Sequence, residues 1–138
     1  MQLDVIVPTY NRHSLLERAL ESLLVADVPA GLEVKVTAVD NNSRDNTRSV
    51  VDSFKARFAG RLNYLFEPNP GKSHALNTGI AATSGELVGM IDDDEEIDRS
   101  WFVRIHGDKH ACDRVLTLRA QLSLLLRACA ANPQVPAG

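Results

Sequence analysis

Nearly continuous apolar blocks alternate along this chain with stretches in which apolar residues recur every three or four positions. The first block, Leu3, Val5, Ile6 and Val7, reads as a strand covered on both faces and ending at Pro8. Leu16, Ala19, Leu20, Leu23 and Leu24 then mark one face of a helix. Ser14 and Glu17 have the spacing of a capping box at its start, with a start one turn earlier, near Asn11, as the alternative. Pro29 and Gly31 end it. A second unit repeats the order: a strand over Val34 to Asp40, a turn at Asn41, Asn42 and Ser43, and a helix to about Phe58. Leu62, Tyr64 and Phe66 alternate as a short strand. A third helix is expected from Lys72 to Thr83 with a ridge of Leu76 and Ile80, stopped by Gly85, and a fourth strand from Glu86 to Asp92.

Four strands alternating with three helices imply an α/β fold: a mainly parallel sheet with right-handed crossovers and helices on both faces, a Rossmann-like three-layer arrangement. After residue 98 the pattern changes. Residues 99–106 fit a short helix, and 113–131 show a helical face of Val115, Leu118, Leu122, Leu125, Leu126 and Cys129. Such a face must cover its own sheet or another chain, so a homodimer contact is one expectation for the segment 99–138. The last residues, NPQVPAG, read as frayed.

A length of 138 residues suits one domain, and 44% hydrophobic residues suffice for a core. Two cysteines are too few for a disulfide scaffold, which favours a cytoplasmic setting. No basic stretch followed by a long apolar run opens the chain, and membrane association is not indicated. Net charge is −3, yet six of the 18 acidic residues lie within 92–98, so the rest of the chain is mildly basic. No stripe of Lys and Arg interleaved with aromatics is present, which argues against a nucleic-acid partner.

In an open α/β sheet, ligands bind beyond the carboxyl ends of the strands. The polar residues of this chain collect there: Pro8, Thr9, Tyr10 and Asn11 after the first strand, Asp40, Asn41 and Asn42 after the second, Asn69, Gly71 and Lys72 after the third, and Asp92, Asp93 and Asp94 after the fourth. If the chain stays extended past Met90, Asp92 and Asp94 share one side and Asp93 faces the other. Two carboxylates brought together favour a hard divalent cation, Mg²⁺ or Mn²⁺, completed by substrate phosphates. The plainer reading is a solvated loop before a helix, and Glu95, Glu96 and Asp98 fit it.

Other chemistries fit less well. Gly71, Lys72 and Ser73 look like the end of a phosphate-binding loop, but Phe66 stands where its first glycine belongs and Pro70 removes an amide donor. Lys72 can still meet an anionic ligand. No dinucleotide-type glycine fingerprint occurs. His106, His110 and Cys112 lack a full zinc pattern, and Gly107 weakens the helix they would share. His13 and Ser14, as neighbours, do not face each other on a helix, so they make no nucleophile–base pair.

Four blocks, VIVPTYNR with LLERALESL, AVDNNSRDNT, EPNPGKSHALNTGIAATSGE and VGMIDDDEEID, occur in one order over residues 2–98. Together they resemble the N-terminal, nucleotide-sugar-binding half of family 2 glycosyltransferases of GT-A fold. The resemblance implies that Pro8, Thr9 and Tyr10 line a nucleobase pocket and that Asp40 bonds to the base. It places Lys72 near the donor, a UDP- or GDP-sugar, with Asn77 and Gly79 in the helix after it. Asp92, Asp93 and Asp94 fall at the family's DXD position, Asp92 towards ribose and metal and Asp94 as the main ligand of Mg²⁺ or Mn²⁺. It further implies inverting transfer of the sugar to an acceptor, with a base from a later segment.

The chain departs from the family after about residue 98. Residues 105–138 carry no family motif, so the expectation is a domain truncated relative to the full family domain, with no assignable catalytic base and weak or absent transfer. A non-catalytic interaction module, or a dimerising remnant of such an enzyme, is the competing expectation. A nucleotidylyltransferase of related fold is disfavoured because no glycine-rich, arginine-containing loop follows the first strand.

Overall fold

A computed structural model describes residues 1–107 and the backbone of residues 115–116. Its elements are β1 (Gln2–Thr9), α1 (His13–Val25), β2 (Glu33–Asp40), α2 (Thr47–Lys55), β3 (Leu62–Phe66), α3 (Lys72–Ala81), β4 (Leu87–Met90), α4 (Trp101–Gly107) and β5 (Val115–Leu116). The sheet order is β3-β2-β1-β4-β5. The first four strands are parallel, and β5 runs antiparallel to β4. This is the α/β, mainly parallel architecture that the alternation implies. No helix among the described residues is long and apolar enough to cross a membrane.

β1 is the central strand because its residues are apolar on both faces. Leu3, Val5 and Val7 face one layer, where Leu16, Leu20 and Leu23 of α1, Val51 and Phe54 of α2, and Trp101, Phe102 and Ile105 of α4 pack on the sheet. Ile6 faces the other layer with Val39, Val88 and the α3 residues Ala75 and Ile80. Helix α3 comes close to the strands through Gly79. A Cβ there would lie 2.6 Å from Ile6 Cγ2 and 3.1 Å from Val39 Cγ2. Leu76, expected on the buried ridge, is only partly buried. Phe66 is 52% exposed, because β3 is the edge strand and the alternation loses its cover at the strand end.

Three local expectations need correcting. Ser14 does not cap α1: the helix starts at His13, and no side chain of its own N-terminal residue caps it. The cap comes instead from the β2–α2 loop, where Asp45 Oδ2 accepts the His13 N–H at 3.1 Å and lies 2.9 Å from His13 Nδ1. Helix α2 stops at Lys55 and continues as turns, with Ala59 and Gly60 both at positive φ. Within the segment expected as helix over 113–131, Val115 and Leu116 are a strand; pairing with β4 satisfies backbone groups that a helix would have bonded internally. The remainder of that segment, and the dimer contact expected on it, lie outside the described residues.

Asp45 thus serves two helices, since its Oδ1 also accepts the Thr47 N–H at 3.1 Å and the Thr47 hydroxyl. Burial pushes its pKa up, but the hydrogen bonds from Thr47 and His13 outweigh burial and hold it at about 2. A carboxyl depressed in the fold stabilises it above the unfolded pKa of about 3.9, and that contribution fades as pH falls towards the folded value. Asp45→Ala is expected to cost about 2 kcal/mol at pH 7. In urea denaturation at a series of pH values, the gap from the parent protein should close between about pH 5 and pH 2.

Candidate functional site

Because β2, β1 and β4 are neighbours and parallel, the segments that follow them emerge along one edge of the sheet. They surround a cavity of about 760 Å³. Its walls are Pro8, Thr9, Tyr10 and Arg12 after β1, Asn41, Asn42 and Arg44 after β2, Pro68, Pro70, Gly71 and Lys72 leading into α3, and Asp92, Asp93 and Asp94 after β4. The loops are stitched to one another. Asn11 N–H donates to Ser43 Oγ at 2.9 Å, and Arg44 N–H donates to Asn11 Oδ1 at 2.7 Å. Asn11 and Asn42 both sit at positive φ, a conformation Asn tolerates better than most residues.

Asn41 ties the β3–α3 loop to the same edge. Its Nδ2 donates to the carbonyls of Glu67 (3.0 Å) and Asn69 (2.7 Å), and its Oδ1 accepts the Gly71 N–H at 2.6 Å. Glu67 extends the tie by accepting the Thr78 hydroxyl and the Asn69 N–H; these bonds hold its carboxyl below the usual range. Gly71, at φ +121°, takes a backbone that L side chains rarely adopt, and it presents Lys72 as the first residue of α3.

The acidic end is built by a turn. Glu95 N–H donates to the Asp92 carbonyl at 3.1 Å, so the chain folds back at Asp93 and Asp94 instead of staying extended. Asp92 and Asp94 still come together, and Glu95 joins them. One carboxylate oxygen from each of the three lies within 4.8 Å of the others. Glu95, assigned no chemistry from sequence, also accepts the Asp92 N–H at 2.8 Å. Three hard oxygen donors suit Mg²⁺ or Mn²⁺. Asp92 pairs with Lys72 across the cavity.

Asp93 points the other way and is only 6% exposed. Its Oδ2 accepts the Thr9 hydroxyl at 3.0 Å, and its Oδ1 lies 3.4 Å from Arg12 Nη1. Burial raises its pKa, with a further push from Asp94, against the pull of Thr9 and Arg12.

Of the residues expected at the site, Pro8, Thr9, Tyr10, Lys72, Asp92, Asp93 and Asp94 line this cavity. Asp40, expected to bond to a base, is placed differently. It is 3% exposed and outside the lining; its Oδ1 accepts the Ser43 N–H at 2.9 Å and its Oδ2 accepts the Tyr64 hydroxyl at 2.6 Å. The same burial and the Asp40 carboxylate push the Tyr64 phenol up to about 12. Arg12 and Arg44 were given no role from sequence. Arg12 lies two residues after Tyr10 in the first motif block, but only the fold brings it to Asp93, 81 positions away.

The profile of glycosyl transferase family 2 matches residues 4–105. The chain belongs to that family. It is a glycosyltransferase domain of GT-A type, corresponding to the family's N-terminal, nucleotide-sugar-binding half. The GalNAc(5)-diNAcBac-PP-undecaprenol beta-1,3-glucosyltransferase of Campylobacter jejuni is 38% identical over 101 residues, covering 70% of this chain and 30% of the relative. Residues 1–349 of Staphylococcus aureus TarS, solved in complex with UDP, are 28% identical with a TM-score of 0.71, over 82% of this chain and 34% of that fragment. The mannosyltransferase PcManGT of Pyrobaculum calidifontis, solved with GDP-Man and Mn²⁺, is 35% identical with a TM-score of 0.65, over 71% of this chain and 29% of that one. The chain therefore spans a third or less of the length of these relatives, and only 17% of full-length TarS.

The cost of burying Asp93 gives a prediction for this family 2 domain. A carboxyl whose folded pKa is raised favours the fold less as pH climbs through that value. Asp93→Asn keeps the shape and an acceptor for Thr9 while removing the buried charge. Its urea midpoint relative to the parent's is expected to fall as the pH is lowered from 7 into the carboxyl range, because the parent gains stability there; a difference that rises on acidification would contradict this account.

Proposed function

We propose that the cavity binds a nucleotide-diphosphate sugar, UDP- or GDP-linked, together with Mg²⁺ or Mn²⁺, for inverting transfer of the sugar to an acceptor. The observation that carries this reading is the polarity of the cavity. At one end stand Asp92, Asp94 and Glu95, an oxygen-donor set for a cation; across the ends of β1 and β2 lie Tyr10, Asn41, Asn42 and Arg44, a surface without carboxylates. Neighbouring strands are about 4.8 Å apart, so the two ends are separated by roughly 10 Å, about the reach from a nucleobase to a diphosphate. The relatives solved with UDP and with GDP-Man and Mn²⁺ support the same ligand class.

Each residue then has a physical task. Pro8, Thr9 and Tyr10 line the nucleoside end, where the half-exposed Tyr10 ring offers a face to the base. Asp40 acts indirectly, fixing the turn at Ser43 and the Tyr64 hydroxyl. Asp92 and Asp94 hold the cation, with Glu95 beside them, and Lys72 neutralises phosphate from the other wall. When bound, the cation stabilises charge on the departing diphosphate. Asp93, turned inward to Thr9 and Arg12, anchors the acidic turn to β1.

Titration of UDP and of GDP, each with and without Mn²⁺, tests the reading. One nucleotide should bind at least about tenfold more tightly with metal, and Asp94→Ala should erase that gain. Binding of neither, or binding indifferent to Mn²⁺, would favour an interaction module whose nucleotide cavity is idle.

A further inference from the structure

We propose that Lys72 occupies the cation's place on Asp92 until a diphosphate draws it away, so that metal and nucleotide bind cooperatively. This rests on the donor-and-cation reading above and specifies how the two ligands are coupled. Asp92 is shared between two claims. Its Oδ1 forms an ion pair with Lys72 Nζ, and it is also one of the three carboxylates grouped within 4.8 Å. An ammonium and a divalent cation compete for that carboxylate, and each raises the cost of the other by like-charge repulsion.

The rest of the geometry suits an exchange of partners. Lys72 stands at the first position of α3, and Asp92 in the turn after β4; both line the same cavity. Their side chains are 45% and 40% exposed, so water can replace either partner and the pair is weak enough to open. A diphosphate entering between them offers Lys72 new acceptors and leaves Asp92 to the metal. Linkage then requires the reverse as well: metal on Asp92 releases Lys72 for phosphate and tightens the nucleotide by the same factor. Arg12 is held differently, 3.4 Å from the inward-facing Asp93 and 3.9 Å from Asp94. Lys35, exposed on β2, lies outside the cavity lining and serves as a control for general loss of positive charge.

Calorimetric titration of Mn²⁺, alone and in the presence of UDP or GDP, separates the possibilities for the parent protein, Lys72→Met and Lys35→Met. Lys72→Met should bind Mn²⁺ alone about two- to fivefold more tightly than the parent, the size of effect an exposed ion pair can exert. The factor by which nucleotide improves Mn²⁺ binding should shrink correspondingly in Lys72→Met. Lys35→Met should bind Mn²⁺ alone as the parent does. Unchanged Mn²⁺ affinity in Lys72→Met, or an equal gain in Lys35→Met from general loss of positive charge, overturns the exchange. If the parent binds Mn²⁺ neither alone nor with nucleotide, the donor-and-cation reading fails first; nucleotide-dependent Mn²⁺ binding that Lys72→Met leaves untouched removes only the coupling. Far-ultraviolet circular dichroism establishes that each variant is folded before titration.

Discussion

The hydrogen-bonded alignment of β2, β1 and β4 is the constraint from which the site follows. β1 pairs in parallel on both sides, Leu3 facing Val34 on one and Leu87 on the other. All three strands point the same way, so their following segments emerge together. A strand apolar on both faces can be stable only between two layers, and Val5 and Ile6 bury themselves in opposite ones. The core therefore sets the direction of every loop that reaches the cavity.

Around that frame, the loops are held by side chains bonding to the backbone of other loops. Asn11, Asn41 and Asp45 each bridge segments about 26–33 positions apart in sequence. Such ties let a polar cavity keep its shape although its walls are not regular secondary structure. The Asp40 carboxylate is likewise spent within the fold, on the Ser43 N–H and the Tyr64 hydroxyl. The two acidic turns differ in kind. Asp45 is stabilised as a carboxylate by its donors, whereas Asp93 is burdened by burial, which Thr9, Arg12 and the Tyr10 backbone N–H only partly offset.

Much of this was legible from local pattern. The periods of two and three to four residues located four parallel strands and three helices, because burial of one face or both imposes those spacings directly. The polar residues at strand ends marked the cavity, and the motif blocks marked the family. The failures have two causes. Ser14 had capping-box spacing, yet Asp45 from another loop supplies the acceptor. Asp92 and Asp94 meet through a turn that also recruits Glu95, where extended backbone was expected. Val115 and Leu116 fall in the segment expected as helix but pair with β4. At Ser14 and at Val115 a long-range partner outcompeted a local preference, while at Asp92 one local geometry, the turn to Glu95, displaced another.

What the sequence determined alone was the order of elements, the face each buries and the family of the domain, since these depend on residue type and spacing. Tertiary structure decided which side chains share the cavity. It turned Asp40 and Asp93 inward, brought Arg12 to Asp93, and set Lys72 against Asp92 across 20 positions. Those outcomes depend on which loops lie side by side, and strand pairing alone settles that; no spacing along the chain encodes a distance between loops until the sheet has formed.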